Sequence, residues 1–302
     1  MKVIEVKPQG YCGGVKNAID LAKKTRKLFP KKKVYIYGHL VHNSHVTEAL
    51  KSIDIITLER TNHLQELLQS IPTGIIITTA HGTKDSEVTM MRQSGFEVID
   101  GTCPFVLRTR KILIEALKNQ QTIIYIGKKG HPESEAMVSL NPKSIYLIEN
   151  INDIENLVID KNISLTVTNQ TTMSQHDINP LFESIKTRYP QAQMLDEICN
   201  ATRARQAALE EELPKGDLVV IVGDPKSNNT RKLAEIAERS RLPVYFVSGA
   251  DQLSKAMLLS ENKVAVVTSG ASTPPAITRQ VIDFIASDGK VTSETNPKDI
   301  LY

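Results

Sequence analysis

Apolar residues in this chain come in short runs, each long enough for one β-strand and too short for a buried helix. Val3–Ile4–Glu5–Val6, Gly74–Ile75–Ile76–Ile77 and Leu218–Val219–Val220–Ile221–Val222 are examples. Between the runs the period changes. Val15, Ala18, Ile19 and Ala22 share one helical face, as do Val106, Leu113 and Leu117, and then Ala201, Ala204 and Ala208. Strands alternating with helices predict parallel sheets, because parallel neighbours need a helical crossover. No run approaches the ~18 apolar residues that would span a bilayer.

The alternation repeats. Cys12, Cys103 and Cys199 are separated by 91 and 96 residues, a spacing even enough to test for internal repetition. Their surroundings are Gly-Tyr-Cys-Gly-Gly-Val (10–15), Gly-Thr-Cys-Pro-Phe-Val (101–106) and Glu-Ile-Cys-Asn-Ala-Thr (197–202). Each follows a strand-like piece and precedes a helix-like one. Next in each third comes an apolar run closed by glycine: 34–38, 123–127 and 219–223. It leads to a polar cluster holding His42, His131 or Ser227, which lie 30, 28 and 28 residues after their cysteines. A later strand ends in a second polar tip, His81, Thr171 or Ser272, at 69, 68 and 73 residues.

The expected fold class is therefore α/β, with three similar parallel-sheet domains at 13–102, 103–197 and 198–302. The third is joined by the N-terminal strand 1–12. In open parallel sheets ligands gather beyond the carboxyl ends of the strands, where every tip named above falls. A pseudo-threefold cloverleaf would turn three cysteines and six tips towards one central cluster and substrate cavity.

Composition adds bounds to this picture. With 302 residues, 40% hydrophobic and 24% charged, the chain reads as a soluble globular protein of two or three domains or one large α/β unit. A net charge of +3 is too mild to imply nucleic acid. No charged-then-apolar leader is visible, so a cytoplasmic enzyme without membrane attachment is expected. Three widely spaced cysteines argue against a disulfide framework. The densest basic run, Lys23 to Lys33, reads as a solvated face, with a weaker second reading as a surface that steers an acidic electron carrier.

The candidate chemistry follows from the tips. Three cysteines at one station, each at a helix N-terminus where the dipole favours thiolate, point to metal. Three thiolates without a Cys-x-x-Cys pair suit either zinc or an iron–sulfur cluster. Zinc would be a Lewis acid and could not move electrons. A four-iron cluster on three cysteines leaves one iron open for two-electron reductive chemistry. His42, His81, His131, Ser227, Asn229 and Ser272 are hydrogen-bond donors with almost no carboxylate among them, a ring suited to a diphosphate. No Walker loop or Gly-x-Gly-x-x-Gly appears, which disfavours a nucleotide. One acid breaks the pattern: Glu133, in Gly-His-Pro-Glu, reads as a proton handler with Thr171 as its partner. His39, His45, His63 and His176 read as structural or surface residues, and Lys128, Lys129 and Lys226 as solvated.

Together these motifs closely resemble the 4-hydroxy-3-methylbut-2-enyl diphosphate reductase family. The matching pieces are Gly-Tyr-Cys-Gly-Gly-Val (10–15), Val-His-Asn (41–43), Ala-His-Gly (80–82), Thr-Cys-Pro (102–104) and Gly-His-Pro-Glu (130–133). They continue through Asn-Gln-Thr-Thr (169–172), Ile-Cys-Asn-Ala-Thr (198–202), Val-Gly-Asp-Pro-Lys-Ser-Asn-Asn (222–229) and Gly-Ala-Ser (270–272). The resemblance implies a three-domain cloverleaf and reductive dehydroxylation of the allylic diphosphate to isopentenyl and dimethylallyl diphosphate. This is the last step of the methylerythritol phosphate route to isoprenoids. It further implies a 4Fe-4S cluster on Cys12, Cys103 and Cys199 with one iron open to substrate, and a ferredoxin or flavodoxin as electron donor. His42, His81, His131, Ser227, Asn229 and Ser272 would hold the diphosphate, and Glu133 with Thr171 would supply protons. Two departures stand out. Many relatives read Ser-Ser-Asn where this chain has Ser227–Asn228–Asn229, so Asn228 would bind through its amide or backbone. The tail beyond Ser272 is also short, which bears on any closing contact from the C-terminus. The competing reading is a zinc-dependent hydrolase of a phosphorylated substrate, and a further one is a non-catalytic iron–sulfur sensor.

Overall fold

The structure, a computed structural model, describes residues 1–160, 162–253, 263–290 and 295–302. Twelve strands are seen among these residues, and their residue types explain them: β-branched and aromatic side chains fit a pleated, buried surface. Strand β1 is Lys2–Glu5. Strands β2 (Lys33–Tyr37), β3 (Ile55–Leu58), β4 (Gly74–Ile77) and β5 (Glu97–Ile99) follow. Then come β6 (Thr122–Ile126), β7 (Ile145–Ile148), β8 (Leu165–Asn169) and β9 (Gln193–Met194). The last are β10 (Leu218–Val222), β11 (Val244–Val247) and β12 (Val264–Ser269).

These strands form three four-stranded sheets with one shared order. The orders are β1-β12-β10-β11, β5-β4-β2-β3 and β9-β8-β6-β7. In each, the first named strand leads to a cysteine, the second to one polar tip and the third to the other. The N-terminal strand supplies the cysteine position of its sheet by pairing in parallel with β12, Lys2 opposite Val264 and Glu5 opposite Val267. The expectation of three parallel-sheet α/β modules thus agrees with the observed fold. Central strands such as β10, buried on both faces, are continuous apolar runs, as parallel sheets covered by helices require.

By its internal packing the chain divides into two compact units. Met1–Pro30, His39–Leu58 and Asn200–Tyr302 form one; Lys31–Gly38 and Glu59–Cys199 form the other. In the first, Val219, Ile221 and Val266 pack under Leu209, Leu233 and Ile236. In the second, Ile124, Ile126 and Val167 pack against Ile178, Leu181 and Ile185 of helix Gln175–Arg188. The short tail belongs to the first unit: the Tyr11 hydroxyl donates to the Ile300 carbonyl (2.6 Å) and the Lys23 ammonium to the Leu301 carbonyl (2.9 Å). Lys23, from the basic run, is therefore engaged within the protein. Among the described residues no helix is long and apolar enough to cross a membrane.

Two of the three helical faces read from the sequence are the buried ones, and the third is not. Helix Gly13–Leu28 buries Val15, Ala18, Ile19 and Ala22, and helix Pro104–Lys118 buries Val106 and Leu113. Helix Asn200–Glu212 instead buries Thr202, Arg205, Gln206 and Leu209, leaving Ala204 exposed. The alanine stripe misleads because Arg205 is satisfied inside: its guanidinium donates to the carbonyls of Gly10 (2.6 Å) and Ala201 (2.8 Å). Gly10 itself sits at φ +69°, where a glycine backbone is favoured. Arg205→Ala should strip both carbonyls of a charged donor and destabilise the chain by about 3 kcal/mol. Urea unfolding of the variant would measure it, and an unchanged midpoint would contradict this account.

Candidate functional site

The three cysteines occupy one structural station, and the same pair of hydrogen bonds fastens each of them. Cys12 and Cys103 are the N-caps of helices Gly13–Leu28 and Pro104–Lys118, and helix Asn200–Glu212 begins directly after Cys199. Their N–H groups donate to the carbonyls of Ala271 (3.2 Å), Ala80 (3.0 Å) and Thr171 (3.1 Å) respectively. Two residues earlier, the N–H groups of Gly10, Gly101 and Glu197 donate to the side chains of Ser269 (2.8 Å), Thr78 (3.0 Å) and Asn169 (3.0 Å). Every acceptor lies at the end of the strand neighbouring the cysteine's own. All three thiols are outside disulfides and half-buried. Accessible sulfurs at helix N-termini, held on fastened loops, fit thiolate ligation of a metal centre.

This repetition also corrects an equivalence. Counted from Thr78, Asn169 and Ser269, the residues matching His81 and Ser272 include Thr172, not Thr171. Backbone bonds from Gly82 to Thr79, Met173 to Gln170 and Thr273 to Gly270 give the same register. A count from the cysteines places Thr171 there because loop lengths differ among the thirds. The Thr172 hydroxyl accepts from the Gln170 amide (2.8 Å).

In the second unit, Glu133 is the centre of a buried network. It stands in the first turn of helix Pro132–Val138, capped by His131, and is 0% exposed. Its Oε1 accepts from the Thr171 N–H (2.8 Å) and the Tyr125 hydroxyl (3.2 Å), and its Oε2 from the Thr171 hydroxyl (2.9 Å). Burial pushes the Glu133 carboxyl up to about 7, against the partial counter-effect of the Thr171 and Tyr125 hydrogen bonds. Tyr125 is pushed up as well, by its own burial first and then by the neighbouring acid. The Glu133 N–H donates to His131 Nδ1 (3.1 Å), which places the proton of a neutral ring on Nε2. The His131 ring meets the His81 ring edge-on at 5.4 Å. Thr171 links this network to a cysteine, since its amide serves Glu133 while its carbonyl serves Cys199. Tyr125 was not singled out from the sequence. The signal was an aromatic hydroxyl inside the apolar run Ile123–Ile126.

The raised acid has a consequence for stability. Native Glu133 keeps its proton up to pH ~7, whereas an unfolded chain releases it near 4.5. The contribution is therefore complete below pH ~4.5 and is lost as pH rises through ~7. Relative to Glu133→Gln, the apo chain should lose about 3 kcal/mol of unfolding free energy across that window. Denaturant titrations of both chains at pH 4.5 to 8 would show it, and a pH-independent difference would mean that the carboxyl titrates as if solvated.

In the first unit, the Ser272 hydroxyl lies 3.1 Å from the His42 carbonyl oxygen and 3.2 Å from the Ser227 hydroxyl. Ser227 caps helix Asn228–Arg239, whose first residues Asn228 and Asn229 are buried. Asn229 spans this cluster: its amide nitrogen donates to the Thr202 hydroxyl (3.0 Å) and its oxygen accepts from the Ala271 N–H (2.9 Å). Cys12, whose N–H bonds Ala271, is thereby tied to the same group. His42 lines a cavity of about 120 Å³ with Asp224 and Lys226. Of its neighbours, His39 meets the Thr47 hydroxyl (3.3 Å) and His45 the Ser248 carbonyl (3.0 Å), as structural histidines do. His63 pairs with Glu66 on the surface, and Lys129 with Asp153 (2.8 Å).

Comparison with known proteins agrees with this geometry. A family model described as LytB protein matches residues 3–286. The 4-hydroxy-3-methylbut-2-enyl diphosphate reductase of Symbiobacterium thermophilum is 42% identical over 287 residues, covering 94% of this chain and 97% of that one. The protein of the same name from Bacillus subtilis is 42% identical over 288 residues, covering 94% and 90%. A solved structure of the E-1-hydroxy-2-methyl-but-2-enyl-4-diphosphate reductase from Plasmodium falciparum superposes with a TM-score of 0.88 at 27% identity, covering 99% of this chain and 96% of that one.

Proposed function

Since the chain belongs to the LytB family, we infer that it is a 4-hydroxy-3-methylbut-2-enyl diphosphate reductase. It removes the allylic hydroxyl of that diphosphate reductively and yields isopentenyl and dimethylallyl diphosphate, in isoprenoid biosynthesis. The reaction consumes two electrons and two protons and releases water, so an external reductant is needed. Glu133 carries the reading: a fully buried carboxyl with its proton retained near neutrality, joined through Thr171 to a cysteine loop.

Cys12, Cys103 and Cys199 are the proposed holders of a 4Fe-4S cluster, and their free, half-buried thiols at helix N-termini support the assignment. When bound, such a cluster supplies two-electron reduction and one iron position that no cysteine fills. His42, His81, His131, Ser227, Asn228, Asn229 and Ser272 bind the diphosphate through ring N–H, hydroxyl and amide donors. Nε2 of His131 is the free donor position, because Nδ1 is occupied by the Glu133 N–H. Glu133 gives the proton with which the hydroxyl departs as water, and the Thr171 hydroxyl holds that carboxyl in place. Later protonation at either end of the allyl system gives the two products. A ferredoxin or flavodoxin delivers the electrons, and the compartment is the cytoplasm. The repeats run over 13–102, 103–197 and 198–302 with the strand 1–12 added to the third.

The test is anaerobic quantification of iron and sulfide, then turnover with the hydroxylated diphosphate and a chemical reductant. About four irons per chain and reductant-dependent formation of both products are expected. A colourless, zinc-loaded preparation that hydrolyses the substrate would reject this reading in favour of the zinc hydrolase.

A further inference from the structure

We propose that Thr78, Asn169 and Ser269 are positioning residues for Cys103, Cys199 and Cys12, acting as side-chain latches that set each loop for its metal. The inference rests on the reading that these cysteines hold the cluster. Its basis is a contact made three times by three different chemistries. A hydroxyl of threonine, an amide oxygen of asparagine and a hydroxyl of serine each accept the N–H two residues before a cysteine. Thr78, Asn169 and Ser269 are all buried. A strand interior at these positions would ordinarily carry an apolar residue. Three non-apolar side chains at one structural register, sharing only an acceptor oxygen, indicate that the acceptor is what the register requires.

The geometry explains the need. The cysteine strand is the edge of its sheet in all three cases, so regular ladder bonds reach it from one side only. Where the chain leaves the strand to enter the helix, it turns away from its neighbour, and a main-chain carbonyl there cannot follow it. The Cys−2 N–H would be a buried donor without a partner. A side chain projecting from the neighbouring strand bridges the gap, and the bond from the cysteine's own N–H to Ala271, Ala80 or Thr171 closes the loop two residues later. Two bonds spaced in this way leave little freedom for the intervening residue and so orient the thiol. At Gly101 the fit is also steric, because a Cβ there would overlap the Thr78 carbonyl oxygen. Thr78 is itself oriented, donating to Asp100 Oδ1 at 3.0 Å.

The experiment uses full-length Thr78→Val, Thr78→Ser and Ser269→Ala with clusters reconstituted anaerobically. Cluster lifetime is read as loss of absorbance near 400 nm under an iron chelator, and thermal unfolding is read on the same chains without metal. Thr78→Val and Ser269→Ala should lose the cluster about tenfold faster than the unaltered chain, the factor expected when one buried hydrogen bond is left unmade. Thr78→Ser, which keeps the acceptor, should restore the lifetime. Equal lifetimes in all chains would overturn the proposal. So would a Thr78→Ser chain as labile as Thr78→Val, or an apo unfolding temperature that falls in proportion to the lifetime, since either would mean packing and not cysteine orientation. An unaltered chain that takes up no iron would instead reject the cluster assignment itself.

Discussion

Replacing Glu133 by glutamine should lower turnover by roughly two to four orders of magnitude while leaving the cluster and substrate binding intact. The substitution keeps the shape of the side chain and its capacity to accept from Thr171 and Tyr125, but removes the releasable proton. In the native chain that proton is retained because the carboxyl is shut away from water, which raises it to about 7. A diphosphate bound nearby would add negative potential and hold the proton more firmly still. Loss of the Thr171 hydroxyl, through Thr171→Val, should cost less, since the Thr171 N–H still reaches Glu133 and a water can replace a hydroxyl. The two substitutions combined should cost less than the sum of their separate effects, because both interrupt one proton path. Steady-state turnover of the single and double variants, with iron content measured in each, decides the matter. Near-normal turnover of Glu133→Gln would mean that the protons come from elsewhere.

Exchange of any one of Cys12, Cys103 or Cys199 for serine should abolish turnover and lower the iron retained per chain. A serine hydroxyl keeps nearly the volume of the thiol but stays protonated at neutral pH, and only a deprotonated sulfur is a strong ligand for iron. The fold should survive. The bonds that fasten each loop run through main-chain N–H groups, and none of the three side chains is the listed partner of a cap. Iron and sulfide analysis should therefore fall while the unfolding midpoint of the metal-free chain stays near that of the unaltered protein. A variant with full iron and normal turnover would remove that cysteine from the ligand set.

Much of this was legible in the residues. Strand-sized apolar runs, helical periods and near-equal cysteine spacing are local patterns that recur at fixed intervals, so the three parallel α/β modules and their polar tips could be read from order alone. Glu133 stood out as the one acid among donors. What could not be read was its burial. That depends on Tyr125 and Thr171, which reach it from other strands, and the shift of its carboxyl depends on the burial in turn. Arg205 was hidden for a related reason: a charged side chain can face inward when carbonyls meet it, and no period in the sequence records the carbonyl of Gly10, 195 residues away. The register that pairs Thr172 with His81 and Ser272 was lost to unequal loop lengths. The sequence by itself determined the elements, their threefold repetition and the chemical types at the tips, because these follow from side-chain character at successive positions. Only the tertiary structure decided which oxygen meets which N–H around each cysteine and which carboxyl is sealed from water. Hydrogen bonds and desolvation are set by distances between strands, and the order of residues along one strand does not specify them.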